Sequence, residues 1–321
     1  MRESEFNRDA VVAVLKDRAI WLVFIVMFIV FTVTSDKFLS ANNIFLICRQ
    51  VSMFGIASIG MTFVILLAGI DLATGSIITF VNVFCAYLMV KAGFGMVSAV
   101  VLALAISIAI GFFNGFLVST IGIPAIIATF ATQTIFAGAS YLLCKGVPIN
   151  GFDPAFKFIG QGYVGPVPVP VIIMAVCFAV GSFILNKTYF GRYFYAVGGN
   201  EEAAKLSGIR VGNIKYLVYT LSGFFAGLAG IVMLSRTNSA QPTAGLGYEF
   251  DVITCVVLGG VSIMGGYGKM SNVIAGVLII GVLTNGMILL DVHDYMQMVI
   301  KGIVLILAVG FDSLQNKTRI A

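Results

Sequence analysis

Residues 92–144 read AGFGMVSAVVLALAISIAIGFFNGFLVSTIGIPAIIATFATQTIFAGASYLLC, 53 consecutive positions without a charged side chain. A helix rises 1.5 Å per residue and needs about 20 apolar residues to cross the roughly 30 Å hydrocarbon core of a bilayer. The run is too long for one crossing and right for two. Ile121-Gly122-Ile123-Pro124 is the natural turn, because Gly breaks a helix and Pro starts one. Composition agrees. The 321-residue chain is 60% hydrophobic and only 10% charged, with a mean hydropathy of +1.05, where a soluble domain carries about 25% charged residues. So few charges cannot cover a water-exposed surface. A cytosolic enzyme, a secreted domain and a disordered chain are excluded together.

Working outward, the same rule places spans near 19–35, 44–68, 72–90, 96–119, 123–143, 169–186, 214–234, 249–264, 271–290 and 295–312. The expected fold is an all-α integral membrane protein of about ten transmembrane helices. Residues 1–18 read as a cytoplasmic amphipathic segment, with Phe6, Ala10, Val11, Val14 and Leu15 on one face. Residues 19–312 are expected to form a single transmembrane domain and 313–321 a cytoplasmic tail. The first apolar stretch ends in Ser35-Asp36-Lys37 without a small-residue cleavage site, so it reads as a retained span. With both termini cytoplasmic, 12 Lys and Arg fall inside and 6 outside, as the positive-inside rule favours. The Gly69–Ser76 break after the second span has a counterpart in Gly259–Gly268 after the eighth, which suggests a weak inverted internal repeat. The five cysteines are scattered without a CxxC and read as packing residues. The net charge of +5 comes with no basic run, so no nucleic-acid partner is expected.

Two loops stand out. The external loop 145–169 holds Pro148, Pro154, Pro166 and Pro168 and is expected to pack as a cap. The cytoplasmic loop 187–213 encodes a two-turn helix with its own start and stop. Asn200 is a good N-cap, Glu201 and Glu202 sit where the helix dipole favours acids, and Gly208 suits the position past the end. A solvated surface helix is the plain reading. A docking element that passes force into the membrane is the sharper one.

Here the chain resembles a known family. Glu202-Ala203-Ala204-Lys205-Leu206-Ser207-Gly208 matches the E-A-A-x-x-x-G core of permease subunits of bacterial ABC importers. Val218, Thr220 and Leu221 stand in the region where the fuller motif has isoleucine and Leu-Pro. Gly60–Ser76, Ala196–Ile209, Ser239–Glu249 and Val257–Gly260 resemble the ribose-type sugar permeases, and the likeness covers nearly the whole chain. It implies a permease paired with itself or a close paralogue in the inner membrane of a bacterium. It also implies an ABC ATPase docked at Asn200, Glu201, Glu202, Ala203, Ala204 and Gly208, and an external binding protein that delivers a pentose or hexose. ATP and Mg would be bound by that ATPase. This chain has no P-loop: Gly265-Gly266-Tyr267-Gly268-Lys269-Met270-Ser271 lacks the first Gly and the Ser/Thr after Lys. No hydrolase or metalloprotease motif occurs, and His293 reads as part of a short outer loop. The chain is expected to be a non-catalytic pathway subunit without a metal.

A path for a neutral, hydroxyl-rich solute needs amides, hydroxyls and aromatic faces rather than fixed charges. Candidates are Gln50, Asp71, Asn82, Asn114, Thr129, Gln133, Gln241 and Asn285, each with a helix–helix hydrogen bond as the competing role. Asp71 is also placed to cap the third helix. Glu249 or Asp251 is expected to pair with Arg236, with snorkelling to the interface as the alternative. Rival readings are an ABC permease for a nucleoside, a furanone signal or another small polar solute, and an ion-coupled secondary transporter. The last requires a buried carboxylate relay and leaves the 200–209 helix without a purpose.

Overall fold

The structure, a computed structural model, describes residues 20–320. The expected amphipathic segment 1–18 lies outside the described residues. Among the described residues the structure is all-α apart from one hairpin of two short strands, Tyr163–Val164 and Val167–Pro168. In order, the helices are α1 (Ile20–Thr34), α2 (Ala41–Leu66), α3 (Thr74–Val90), α4 (Met96–Phe116), α5 (Ala125–Cys144), α6 (Pro154–Gln161), α7 (Val169–Lys187), α8 (Tyr189–Gly199), α9 (Glu201–Leu206), α10 (Val211–Thr237), α11 (Tyr248–Leu258), α12 (Met270–Leu289) and α13 (Asp294–Ile320). Among the described residues seven helices are long and apolar enough to cross a membrane, and α1 and α3 are shorter apolar helices. This is a multi-pass membrane protein.

The 92–144 run divides where expected. A π-helical turn, Leu117–Ile121, ends α4, Gly122 takes φ +82°, and α5 starts directly after Pro124. The left-handed Gly reverses the chain at no steric cost, and Pro supplies a pre-set φ. The span expected at 249–264 is shorter. α11 ends at Leu258, because Gly259 and Gly260 (φ +75°) open a turn that runs to the start of α12. Its 11 residues measure about 16 Å, half the apolar thickness of a bilayer.

Helices α2, α10 and α12 form the centre, with 67–72% of their apolar windows buried, against 22–28% for α4, α5 and α7. The outer helices expose Leu22, Val33, Val97, Leu142, Ile306 and Phe311, as a lipid-facing surface does. In lipid, apolar contact alone does not drive helices together, so close backbone approach must. α4 and α10 meet through Gly111 and Gly223, where a Cβ on either would strike the backbone of the other helix. The segment after α5 packs as a cap. Gly160 N donates to Ser235 Oγ at 2.7 Å, Ser235 Oγ donates to Phe156 O at 2.6 Å, and Ile149 bridges Ala240.

Candidate functional site

The 187–213 segment folds into two helices where the sequence signals pointed to one. α8 is the addition. Its Phe194 is fully buried, with the ring 5.5 Å from that of Phe63 on α2. Thr188 stands at its N-cap but makes no side-chain cap bond, so burial of the aromatic face holds the helix in place. α9 follows as expected. Asn200 Oδ1 accepts from Ala203 N at 2.9 Å, and Gly208 takes φ +84° just past the end. Glu201 lies 3.3 Å from Lys205 and 2.9 Å from Lys215 of α10, while Lys205 donates to Glu202 at 2.8 Å. Burial alone would raise the Glu201 carboxyl, but Lys215 and Lys205 hold it below its usual range. Hydrogen bonds to Glu202 and Glu201 raise the Lys205 ammonium. Ala204 faces inward, whereas Leu206 is 89% exposed.

A backbone joint connects this loop to the spans. Gly266 N donates to Leu66 O at the end of α2 at 2.9 Å, and Tyr195 Oη donates to Gly268 O at 2.8 Å. Gly198 lies over that junction so closely that a Cβ would collide with Leu66 O and Gly266 N. Three chain segments, from α8, α2 and the α11–α12 turn, thus touch backbone to backbone. Nearby, Asp312 of α13 accepts from Ile263 N at 3.1 Å.

The expected path residues lie on several helices and the segments between them, and of them Gln133 lines a pocket. Asp71 is fully buried; its Oδ1 accepts from Ala73 N at 3.0 Å and its Oδ2 from Ser222 Oγ on α10 at 2.7 Å. It therefore ties the start of α3 to α10. Thr129 Oγ1 accepts from Leu72 N at 3.1 Å and donates to Ala125 O at 2.8 Å, which clamps the same break from α5. Asn285 and Asn43 exchange two amide hydrogen bonds of 2.8 and 3.0 Å. Asn82 and Asn114 are fully buried with no hydrogen-bond partner at either amide atom. Gln50 is half-buried on α2, and Gln241 is exposed beyond α10. Gln133 differs. Its Nε2 donates to Glu249 Oε1 at 2.8 Å, and both residues line a pocket of about 70 Å³ between α3, α5 and residues 242–249.

The expected Glu249–Arg236 or Asp251–Arg236 pair does not form. Asp251 accepts from Lys301 of α13 at 2.8 Å, Glu249 takes Gln133, and Arg236 lies with Nη1 3.7 Å from Met53 Sδ. The helix geometry decides this: α11 turns Asp251 towards α13 and Glu249 towards α5.

Residues 43–309 match a family described as the permease component of the branched-chain amino acid transport system. The chain belongs to this permease family. Full-length relatives agree. A ribose import permease protein of Haemophilus influenzae is 40% identical over 317 residues, 98% of either chain. The ribose import permease protein of Bacillus subtilis is 42% identical over 289 residues, 89% of each chain. An L-arabinose transport system permease protein of Escherichia coli is 36% identical over 310 residues, covering 93% of this chain and 90% of that one. No solved structure matches the chain.

Within this permease, four features escaped sequence reasoning. Leu206 was quoted only as an unspecified position of the E-A-A-x-x-x-G core, and its exposure depends on which way α9 docks. The Gly198–Gly266 joint unites two glycine pairs 68 residues apart. Glu249, expected to pair with Arg236 or snorkel to the interface, is buried against Gln133 instead. Lys301 carried a signal, being a lone cation in the last span, but nothing local named its partner.

Proposed function

We propose that this permease is the membrane-spanning subunit of an ATP-driven importer of a ribose-like monosaccharide in a bacterial inner membrane. It spans about ten times with both termini in the cytoplasm, residues 19–312 forming one domain with a weak inverted repeat. It pairs with a second copy or a close paralogue. An external solute-binding protein delivers the sugar. Two ABC ATPases, which hold ATP and Mg, dock on α9 through Asn200, Glu201, Glu202, Ala203, Ala204 and Gly208, and the chain itself performs no bond chemistry.

The observation that carries the reading is α9, a capped helix with Leu206 almost fully exposed at its end. In this reading the exposed Leu206 at the end of the capped helix is the knob that enters an apolar cleft of the ATPase. Force applied there reaches α2 and the α11–α12 turn through the Gly198–Gly266 backbone joint. ATP binding draws the two α9 helices together and opens the path outwards; hydrolysis releases them and opens it inwards. The full-length relatives with ribose and arabinose in their names favour a pentose over an amino acid.

The test is uptake of labelled ribose, arabinose and xylose in cells carrying the chain, its ATPase and its binding protein, with membrane levels matched. Leu206→Asp should abolish uptake and release the ATPase on co-purification. Uptake that survives Leu206→Asp, or proceeds without the ATPase, sinks the coupling role and favours ion-driven transport. Uptake of a nucleoside or furanone in place of the sugars moves the substrate class.

A further inference from the structure

We propose that the pocket between α3, α5 and residues 242–249 is where the chain itself grips its cargo, with Glu249 and Gln133 accepting hydrogen bonds from adjacent hydroxyls. The inference rests on the monosaccharide reading above. Glu249 is 98% buried; its Oε1 is taken by Gln133, but Oε2 has no hydrogen-bond partner. A buried carboxylate oxygen left without a donor is costly. A solute hydroxyl that draws the carboxylate away from Gly75 towards the pocket supplies that donor.

The surrounding structure packs Oε2 against α3. Gly75 lies opposite, and a Cβ there would collide with Glu249 Oε2. Thr79 Oγ1 accepts from Gly245 N at 2.9 Å and donates to Gly75 O at 3.0 Å, so it is spent on holding the 242–249 segment against α3. That segment enters α11, which is only half a bilayer long. Irregular backbone at membrane depth is tolerated where it is buried in protein or lines a cavity, and broken helices mark solute sites in transporters. Tyr141 and Leu246 stand at the rim, partly and largely exposed, and offer an aromatic and an aliphatic surface to the C–H face of a sugar. A volume of about 70 Å³ holds a few waters. It therefore seats one hydroxylated edge of a ring, which gives weak, orienting contact and leaves tight recognition to the binding protein.

The experiment uses the assembled transporter. Glu249→Gln should reduce ribose uptake at least about tenfold, as expected for losing one hydrogen bond to a charged group, with the ATPase still co-purifying. Because Glu249→Gln can disturb folding, a second measurement stands beside it. Leu246→Cys, at an exposed rim position, is alkylated by a maleimide in the purified permease–ATPase complex. Ribose should slow that alkylation, and an equal concentration of betaine, which has no hydroxyl, should not. Wild-type uptake in Glu249→Gln, or alkylation indifferent to ribose, overturns the proposal. ATPase retention by the wild-type chain in the same preparations tests the importer reading separately.

Discussion

Lys301 of α13 donates to Asp251 of α11 across 2.8 Å, and this ion pair lies where both side chains are mostly hidden from solvent. α13 has only 11% of its apolar window buried and packs mainly on α11. The pair is therefore a principal tie between α13 and the rest of the bundle.

Removing one partner strands the other charge. Lys301→Met is expected to destabilise the protein by about 3–5 kcal/mol, the usual cost of an orphaned buried ion. The double variant Asp251→Asn with Lys301→Met should recover most of that loss. Thermal unfolding of the four proteins in detergent, read as a double-mutant cycle, checks it.

The glycine joint is intolerant of a single methyl group. Gly198→Ala must push α8 off the end of α2, because the obstructing atoms are backbone. Overpacking of this kind costs about 1–3 kcal/mol. Tyr195→Phe removes only the hydrogen bond to Gly268 O, at about 1 kcal/mol. The midpoint of thermal unfolding should fall further for Gly198→Ala than for Tyr195→Phe, and uptake should follow the same order.

The Asn43–Asn285 amide pair ties α2 to α12. Asn285→Ala leaves Asn43 with a missing partner inside the bundle and should cost about 1–2 kcal/mol. Uptake per correctly folded molecule should keep its KM. A changed KM would put Asn285 back in the solute path.

Around α9 the sign of the pH effect follows from Glu201. Its pKa is lowered in the fold by Lys215 and Lys205 against the opposing effect of burial. The stabilisation is therefore complete above the ordinary carboxylate value near 4.5 and is lost as pH falls through the lowered folded value. Amide exchange in residues 203–208, corrected for intrinsic rate, should be constant from neutral pH down to that window and then accelerate. Glu201→Gln should exchange faster at neutral pH and lose the pH dependence. Asn200→Ala, which removes the cap, should cost about 1 kcal/mol of local stability.

The membrane class, the division of 92–144 at Gly122 and Pro124, and the start and stop of α9 were all legible in the amino-acid sequence. Each depends on local chemistry: length of apolar run, left-handed φ at Gly, and a side-chain oxygen three residues before an unpaired N–H. Partnerships were not legible in the same way. Asp251 could reach Arg236 or Lys301, and only the rotation of α11 against α13 selects the second. Asn285 and Gln133 look alike as amides in apolar helices. One closes a pair with Asn43, 242 residues away, and the other lines a pocket with Glu249, 116 residues away. α8 has Thr188 at its N-cap but no side-chain cap bond, and its Phe194 packs on Phe63. Sequence alone determined that the chain folds into long apolar helices and where the 92–144 run divides, because apolar run length and turn chemistry act on each segment independently. Tertiary structure decided which polar groups meet, because hydrogen bonds and ion pairs reach only about 3–4 Å and helix rotation controls that distance.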